Sequence, residues 1–136
     1  GETVILVVIE HDRLRVLDVA ESGHALRVSP PGPYLPLRHS SAARAIAAHL
    51  PADELAALRE VDPSLTARTL SEVRRRGWAI NDREIVADTR VVGAAVPYAD
   101  GPPLAAVIIA APTSRVGIDG LRRIGAHLAA TLDATR

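Results

Sequence analysis

The chain has 136 residues, which fits one compact domain rather than two. Its 48% hydrophobic and 24% charged residues suit an aliphatic core in water, and no apolar stretch approaches the roughly 20 residues of a membrane-spanning helix. Sixteen basic residues balance sixteen acidic ones, so the basic excess typical of duplex-binding domains is absent, and the lack of cysteine excludes disulfides and thiolate metal sites.

The first part of the sequence predicts β-strands. Thr3–Glu10 is a continuous run of mostly β-branched apolar residues, typical of a strand covered on both faces. Arg13–Ala20 alternates charged with apolar residues, as a half-buried strand does. His24–Ser29 is predicted as a short third strand. The prolines at 30, 31 and 33 then predict a rigid loop outside the sheet.

Helices are predicted in the middle of the chain. They cover Ala42–Leu50, a segment from Pro51 to Asp62, and Thr66–Arg76. Ser40 or Ser41 is suited to cap the first helix, and Gly77 is suited to end the third.

A second group of strands and a final helix complete the pattern. Trp78–Asn81 predicts a short strand, and Arg90–Tyr98 and Leu104–Ala111 predict the arms of a hairpin joined by residues 99–103. The apolar residues near the C-terminus fall on one helical stripe, formed by Leu121, Ile124, Leu128 and Leu132. Strands and helices in this order predict an α+β domain with a largely antiparallel sheet.

The start of the first helix is a candidate anion site. Ser40 and Ser41 precede a helical turn without acidic residues, and Arg38, His39 and Arg44 lie close in sequence. Free N–H groups, a positive helix end and nearby cations together favour a bound anion. The competing interpretation is that one serine simply caps the helix.

Other polar clusters favour structural explanations. The basic run at residues 74–76 is typical of a solvated helix end rather than of a nucleic-acid patch. The histidines show no metal-ligand spacing, so no metal site is expected; they are His11, His24, His39, His49 and His127. No G-x-S-x-G elbow exists, and Asp82 and Glu84 fall in a polar loop where solvated charge is the default, so no catalytic residue is assigned.

Five short segments, in order, resemble the effector-binding domain of the IclR family of bacterial transcription regulators. The most specific are LPLRHSSAARA at residues 35–45, VRRRGWAINDRE at 73–84 and APTSR at 111–115. They are joined by Leu50-Pro51 and by TRV with AAVP between residues 89 and 97. The chain departs from the family pattern at Arg44, where lysine is usual, and at Ala43, Asp88 and Ala111, where glycine is common.

The resemblance implies a GAF-like α+β domain with a curved, largely antiparallel sheet flanked by helices, spanning residues 1–136 as one domain. It implies a small-molecule organic effector, a homo-dimer or tetramer, no cofactor, and a cytoplasmic regulator that contacts DNA only through an N-terminal winged helix-turn-helix outside this sequence. The effector-binding positions that it implies, together with the helix start, are Ser40, Ser41, Ala42, Asn81, Thr89, Arg90, Val91, Ile108 and Ala110.

The side chains at three of these positions predict the character of the effector. Val91, Ile108 and Ala110 are apolar where family members often carry polar or thiol groups, so an aromatic or branched-chain carboxylate is expected rather than glyoxylate or pyruvate. The alternatives are a structural interaction domain with a vestigial pocket, in which Val91, Ile108 and Ala110 are ordinary sheet core, and a small hydrolase.

Overall fold

A computed structural model describes residues 1–97 and 100–135, and within them six strands form one antiparallel sheet in the order β3-β2-β1-β6-β5-β4. The elements in chain order are β1 Thr3–Glu10, β2 Arg13–Ala20, β3 Tyr34–Pro36, α1 Ser41–Ala47, α2 Ala52–Val61, α3 Ala67–Arg76, β4 Ala79–Asp82, β5 Thr89–Ala95, β6 Ala105–Pro112 and α4 Ile118–Asp133. The sheet curls into a half-barrel, which confirms the predicted α+β class.

The two faces of the sheet are covered by different helices. On the inner face, Ile5 and Val7 of β1 pack with Ile46 of α1. On the outer face, Val92 of β5 packs with Leu121 of α4. Alternate residues of a strand point to opposite faces, so each strand contributes to both cores.

The predicted helix boundaries are close to the observed ones. Thr66 caps α3 by accepting a hydrogen bond from Thr69 N–H, and Gly77 ends it in the left-handed conformation at φ 89°. The first helix is shorter than predicted, because α1 ends at Ala47 rather than Leu50. The predicted hairpin is present as β5 and β6, although Tyr98 and Ala99 of its loop lie outside the described residues.

The prediction of a third strand at His24–Ser29 was wrong. This segment is a loop, held to the start of β1 because Thr3 Oγ1 donates to Val28 O (2.6 Å) and accepts from Ser22 N–H (3.2 Å). The third strand is instead Tyr34–Pro36, which pairs with β2. Proline is tolerated there because β3 is an edge strand and its outer N–H groups need no partner in the sheet.

The expectation that β1 is covered on both faces was also wrong for the chain by itself. Thr3, Ile5 and Val7 are buried, whereas the intervening Val4 and Leu6 remain partly exposed. The outer face of β1 is therefore less covered than the outer face of β5.

No helix in the described part of the chain is long and apolar enough to cross a membrane.

The outer core is tightly packed around one glycine. A Cβ added at Gly125 of α4 would lie 2.7 Å from Cδ2 of Trp78 and 2.8 Å from a methyl of Val92. Only a residue without a side chain lets the helix approach the indole and the sheet this closely.

Candidate ligand-binding site

A cavity of about 220 Å³ lies on the inner face of the sheet, next to the start of α1. Seven of the nine residues expected at the effector site line it: Ser40, Ser41, Asn81, Thr89, Val91, Ile108 and Ala110. Further aliphatic residues of the sheet that line it are Ile5, Leu14 and Leu35. Two loops close it, one with Pro30 and Pro31 and the other with Ile85 and Val86.

Arg90 and Ala42 lie outside this cavity. Arg90 falls between Thr89 and Val91 on β5, so its side chain points to the opposite face of the sheet. There its Nε donates to Asp82 Oδ1 (2.8 Å) and its guanidinium donates to Val116 O (2.9 Å). Ala42 is completely buried in the inner core.

The two serines at the start of α1 have different environments. Ser40 Oγ accepts a hydrogen bond from Ala43 N–H (3.2 Å), so this serine caps the helix. The Ser41 hydroxyl is buried and has no hydrogen-bond partner among the described residues, although Ser41 lines the cavity. A buried hydroxyl without a partner carries an unmet desolvation cost, which a bound polar group would remove.

The cations near these serines do not reach the cavity. Arg44 is largely buried, and its guanidinium donates to both carboxylate oxygens of Glu84 (2.5 and 3.3 Å) and to Ile80 O (2.7 Å). Arg38 is exposed at the surface. No Arg or His side chain lines the cavity, and its lining consists of uncharged side chains.

The carboxylates of Asp82 and Glu84 are ion-paired, and both side chains remain partly exposed, at 31% and 40%. Glu84 pairs with Arg44, and Asp82 pairs with Arg90 and with Arg83. The Glu84 pair joins the loop after β4 to α1, and the Asp82 pair with Arg90 joins the end of β4 to the outer face of β5.

Both polar atoms of the Asn81 side-chain amide make hydrogen bonds beside the cavity. Its Nδ2 donates to His39 O (3.0 Å), and its Oδ1 accepts from Glu84 N–H (2.8 Å). The side chain is buried and joins the segment before α1 to the loop after β4. Asn81 therefore holds two walls of the cavity together.

A buried carboxylate fixes the segment that leads into α1. Asp62 accepts hydrogen bonds from His39 N–H (3.0 Å) and from Ser64 N–H and Oγ–H (3.0 and 2.6 Å). Burial of the carboxyl raises the pKa of Asp62, but these hydrogen bonds favour the charged form and hold its pKa below the ordinary value. Its negative charge is thus part of the native structure.

Gly93 is a residue of the site that the sequence reasoning missed. A Cβ at this position of β5 would lie 2.9 Å from Ile108 Cγ2, 3.1 Å from Ser41 Oγ and 3.3 Å from Ala42 N. The glycine therefore lets the start of α1 rest on the sheet beside the cavity. A glycine inside a predicted strand is the available signal, because it often marks close approach of another backbone.

Two further depressions do not contain these residues. One, of about 540 Å³, is lined among others by Leu50, Pro51 and Pro97. The other, of about 240 Å³, lies between the end of β1 and α2. Among the described residues no group of three His, Asp or Glu side chains is placed to hold a metal ion.

A loop-covered apolar cavity on a curled sheet, with one buried hydroxyl left unpaired, defines a small-molecule-binding domain. The model of the family "Bacterial transcriptional regulator IclR C-terminal" matches residues 1–135. The chain belongs to this family. The family and the relatives below are transcription regulators rather than enzymes, as the sequence predicted.

Similar proteins include the transcriptional repressor IclR of Escherichia coli, 28% identical over 93% of this chain, and the regulator BhcR of Paracoccus denitrificans, 28% identical over the whole chain. The chain spans about half, 52%, of the length of each. Among solved structures, HmgR of Pseudomonas aeruginosa has a TM-score of 0.82 at 29% identity, covering 98% of this chain and 57% of that one. The Acinetobacter PobR inducer binding domain, a double mutant in complex with 3-hydroxybenzoic acid, has a TM-score of 0.81 at 19% identity and covers 98% and 86% of the two chains, which shows the shared fold.

Proposed function

We propose that this domain senses a small organic carboxylic acid with an apolar body, and that the acid binds in the 220 Å³ cavity. The observation that carries the proposal is the Ser41 hydroxyl, which is buried beside the cavity without a hydrogen-bond partner in the described structure. In the whole regulator, the acid would act by binding one arrangement of the DNA-binding domains more tightly than the other.

The polar end of the ligand is expected at Ser41. A carboxylate oxygen would accept a hydrogen bond from its hydroxyl, and Thr89 supplies a second hydroxyl side chain in the lining. Since Arg44 is committed to Glu84, the carboxylate would be held by hydrogen bonds rather than by an ion pair. Comparing the affinity of the acid with that of its amide, which is uncharged, therefore tests how much the charge contributes to binding.

The apolar body of the ligand would contact Val91, Ile108 and Ala110, together with the aliphatic side chains of the two loops. An apolar cavity of about 150 Å³ is large enough to bind benzene, so 220 Å³ accommodates an aromatic ring with a small substituent. The PobR inducer binding domain, which shares this fold, is in complex with 3-hydroxybenzoic acid, and this supports the choice of an aromatic acid as ligand. A hydrophilic two-carbon or three-carbon acid would leave much of the apolar lining without contacts.

Calorimetry with benzoate, benzamide and pyruvate tests the proposal. We expect benzoate to bind most tightly, and Ser41→Ala to weaken it about ten-fold, because one hydrogen bond to a charged group is lost. Ser71→Ala, an exposed serine on α3, is the matched control and should leave affinity unchanged. Tighter binding of pyruvate than of benzoate would contradict the cavity assignment, and an unchanged affinity in Ser41→Ala would contradict the anchor.

We also propose that two copies of the domain associate through the outer face of β1. Strands β1 and β6 both lie inside the sheet, so neither offers a free edge for pairing. The outer face of β1, however, carries the partly exposed Val4, Leu6 and Val8. On the neighbouring strand β2, Arg15 lies opposite Val8 and Asp18 lies opposite Leu6.

Equilibrium sedimentation tests this association. We expect dimers or larger species well above micromolar concentration, and Leu6→Glu should shift the equilibrium to monomers. Leu26→Glu is the control, since Leu26 is 61% exposed on the loop after β2 rather than on the outer face of β1. A monomeric wild-type domain at these concentrations would contradict the proposal.

DNA contact in the whole regulator is proposed to lie outside this domain. The formal net charge of zero leaves no basic excess to neutralise phosphates. Fluorescence anisotropy with duplex DNA at physiological salt should therefore show no sequence-dependent binding by residues 1–136, and selective binding would contradict this division of roles.

A further inference from the structure

One wall of the cavity is a short loop whose position is not explained by the packing of its own side chains. Residues 83–88, here called the wall loop, place Ile85 and Val86 against the cavity, yet these side chains are 43% and 54% exposed. Half-exposed side chains bury too little surface to fix a loop in one position. The backbone at Arg83 is also left-handed, at φ 62°, which a non-glycine residue adopts only where other contacts hold it.

Glu84 supplies the side-chain contact of the wall loop to α1, beside the backbone hydrogen bond that Asp88 O accepts from Thr113 N–H (2.9 Å). Glu84 N–H donates to Asn81 Oδ1 (2.8 Å), and its carboxylate receives two hydrogen bonds from Arg44. Arg44 lies 40 residues earlier in the chain, on α1. The wall loop is thus joined at one residue to the helix that begins with Ser41.

The two side chains of the ion pair are buried to different degrees, and this difference determines which side chain holds the other in place. The side chain of Arg44 is 10% exposed and that of Glu84 is 40% exposed. Arg44 also donates to Ile80 O (2.7 Å), so the guanidinium is fixed in the core whether or not the wall loop is present. A largely buried guanidinium strongly favours a carboxylate beside it, because removing the partner leaves its charge uncompensated. Glu84, the more exposed member of the pair, is therefore held where Arg44 is.

We infer that the Arg44–Glu84 ion pair is a latch that holds the wall loop closed and so sets how fast the cavity exchanges its contents with solvent. The inference rests on the proposed function for its biological meaning, because a sensor domain must both admit and retain its effector. Arg44 and Glu84 act here as positioning residues, since neither lines the cavity. The affinity of the occupant depends on the fraction of molecules in which the wall loop is closed.

The latch is tested first without any effector. In Glu84→Gln, hydrogen exchange of the Glu84-position and Thr89 amides, which donate to Asn81 Oδ1 and to Val86 O, should accelerate about ten-fold. The Gly77 amide, which donates to Val73 O at the end of α3, should be unchanged. Arg83→Gln is the matched control, because Arg83 sits in the same loop and its ion pair with Asp82 is more exposed, at 55% and 31%. Equal exchange in wild type and Glu84→Gln would overturn the latch.

Benzene serves as the probe of cavity exchange, because it needs a cavity but no carboxylate site. NMR exchange measurements should show benzene leaving Glu84→Gln about ten-fold faster than wild type and Arg83→Gln. The charge-reversed pair, Arg44→Glu with Glu84→Arg, should recover part of the slow benzene exchange if it folds. Glu84→Asp keeps the carboxylate on a shorter side chain and should therefore have a milder effect than Glu84→Gln. Unchanged benzene exchange in Glu84→Gln overturns the inference. Failure of benzoate to bind the wild type, with benzene behaving as expected, would instead count against the proposed function alone.

Discussion

Ala110 and Ala111 are neighbours on β6, yet they face opposite environments. Ala110 points to the inner face and lines the cavity, whereas Ala111 points to the outer face and packs in the core beneath α4. Both residues are buried. The same side chain therefore meets empty space on one face of the sheet and close packing on the other.

The difference follows from what covers each face. On the outer face a helix of 16 residues, α4, approaches closely at Gly125 and fills the space above Trp78. On the inner face α1 is only seven residues long, and proline-containing and polar loops cover the remainder. Loops must satisfy their own backbone hydrogen bonds and cannot offer the regular apolar surface of a helix. A cavity therefore survives where loops replace a helix.

The largest effect is expected in the packed core of the outer face. Trp78→Ala should lower the free energy of unfolding by about 3–5 kcal/mol, because it removes a large buried ring that Gly125 and Val92 contact closely. Urea unfolding followed by far-UV circular dichroism measures it. Tyr34→Ala on the edge strand is the control, since Tyr34 is 37% exposed, and its loss should cost much less. Equal costs for the two variants would contradict the distinction between the faces.

The neighbouring alanines give the most direct comparison. Ala111→Leu should cost about 1–3 kcal/mol, because the outer core has no room for three more carbons. Ala110→Leu should change the unfolding free energy by less than about 1 kcal/mol, since the new side chain enters the cavity and gains buried apolar surface. It should also abolish benzoate binding. If both variants lost the same stability, the cavity would be closed in solution.

The start of α1 gives a smaller effect on stability and a clear effect on binding. Gly93→Ala should cost about 1–2 kcal/mol, because its Cβ displaces the Ile108 side chain and the start of the helix. The same shift moves the Ser41 hydroxyl, so benzoate affinity should fall. Gly117→Ala is the control, as a Cβ there meets nothing within 4 Å. Retained affinity in Gly93→Ala would show that the position of Ser41 is not critical.

Acid should weaken the inner face through Asp62. Because the folded pKa of Asp62 is lowered, its contribution is present above the unfolded pKa, near 4, and is lost as the pH falls through the folded pKa. Asp62→Asn, which replaces one acceptor oxygen with a donor group, should cost about 1 kcal/mol at neutral pH and reduce the slope of stability below pH 4. Thermal unfolding from pH 7 to pH 3 measures both quantities. An unaltered acid slope in Asp62→Asn would contradict the assignment.

Glu2 provides an independent acid-sensitive contact. Hydrogen bonds from Arg115 lower the pKa of Glu2, and the two side chains join the start of β1 to the segment before α4 at 2.6 and 2.7 Å. Glu2→Gln should therefore reduce the acid slope further, by less than Asp62→Asn, since the Arg115 and Glu2 side chains are 26% and 11% exposed whereas Asp62 is fully buried. The double variant should combine the two effects, because the contacts share no residue.

The parts of the fold that local patterns determine were predicted well. Thr66 and Gly77 mark the ends of α3 by capping chemistry that involves only neighbouring residues. The third strand was misplaced because β3 is short, ends at Pro36 and pairs only with β2, so no periodicity distinguishes it from a loop. Local patterns failed where pairing across the sheet determines the structure.

Seven of the nine residues expected at the effector site line the cavity, and the expectation for them came mainly from the family motifs. Strand alternation alone would have separated Arg90 from Thr89 and Val91, because neighbours on a strand cannot face one cavity. The Arg44–Glu84 pair was not predicted, since no spacing rule joins residues 40 positions apart. Gly93 was overlooked because its role depends on a helix that approaches the sheet from elsewhere in the chain.

The helix α1 has no side that faces solvent, since all seven of its residues are buried. An ordinary surface helix offers half of its positions to neutral substitution, but this one offers none. In a library that samples every amino acid at every position, we expect the segment 41–47 to accept the fewest changes, including at Arg44. Adaptation of the domain to a new effector would then proceed through the two loops and the strand positions facing the cavity, while α1 remains nearly constant.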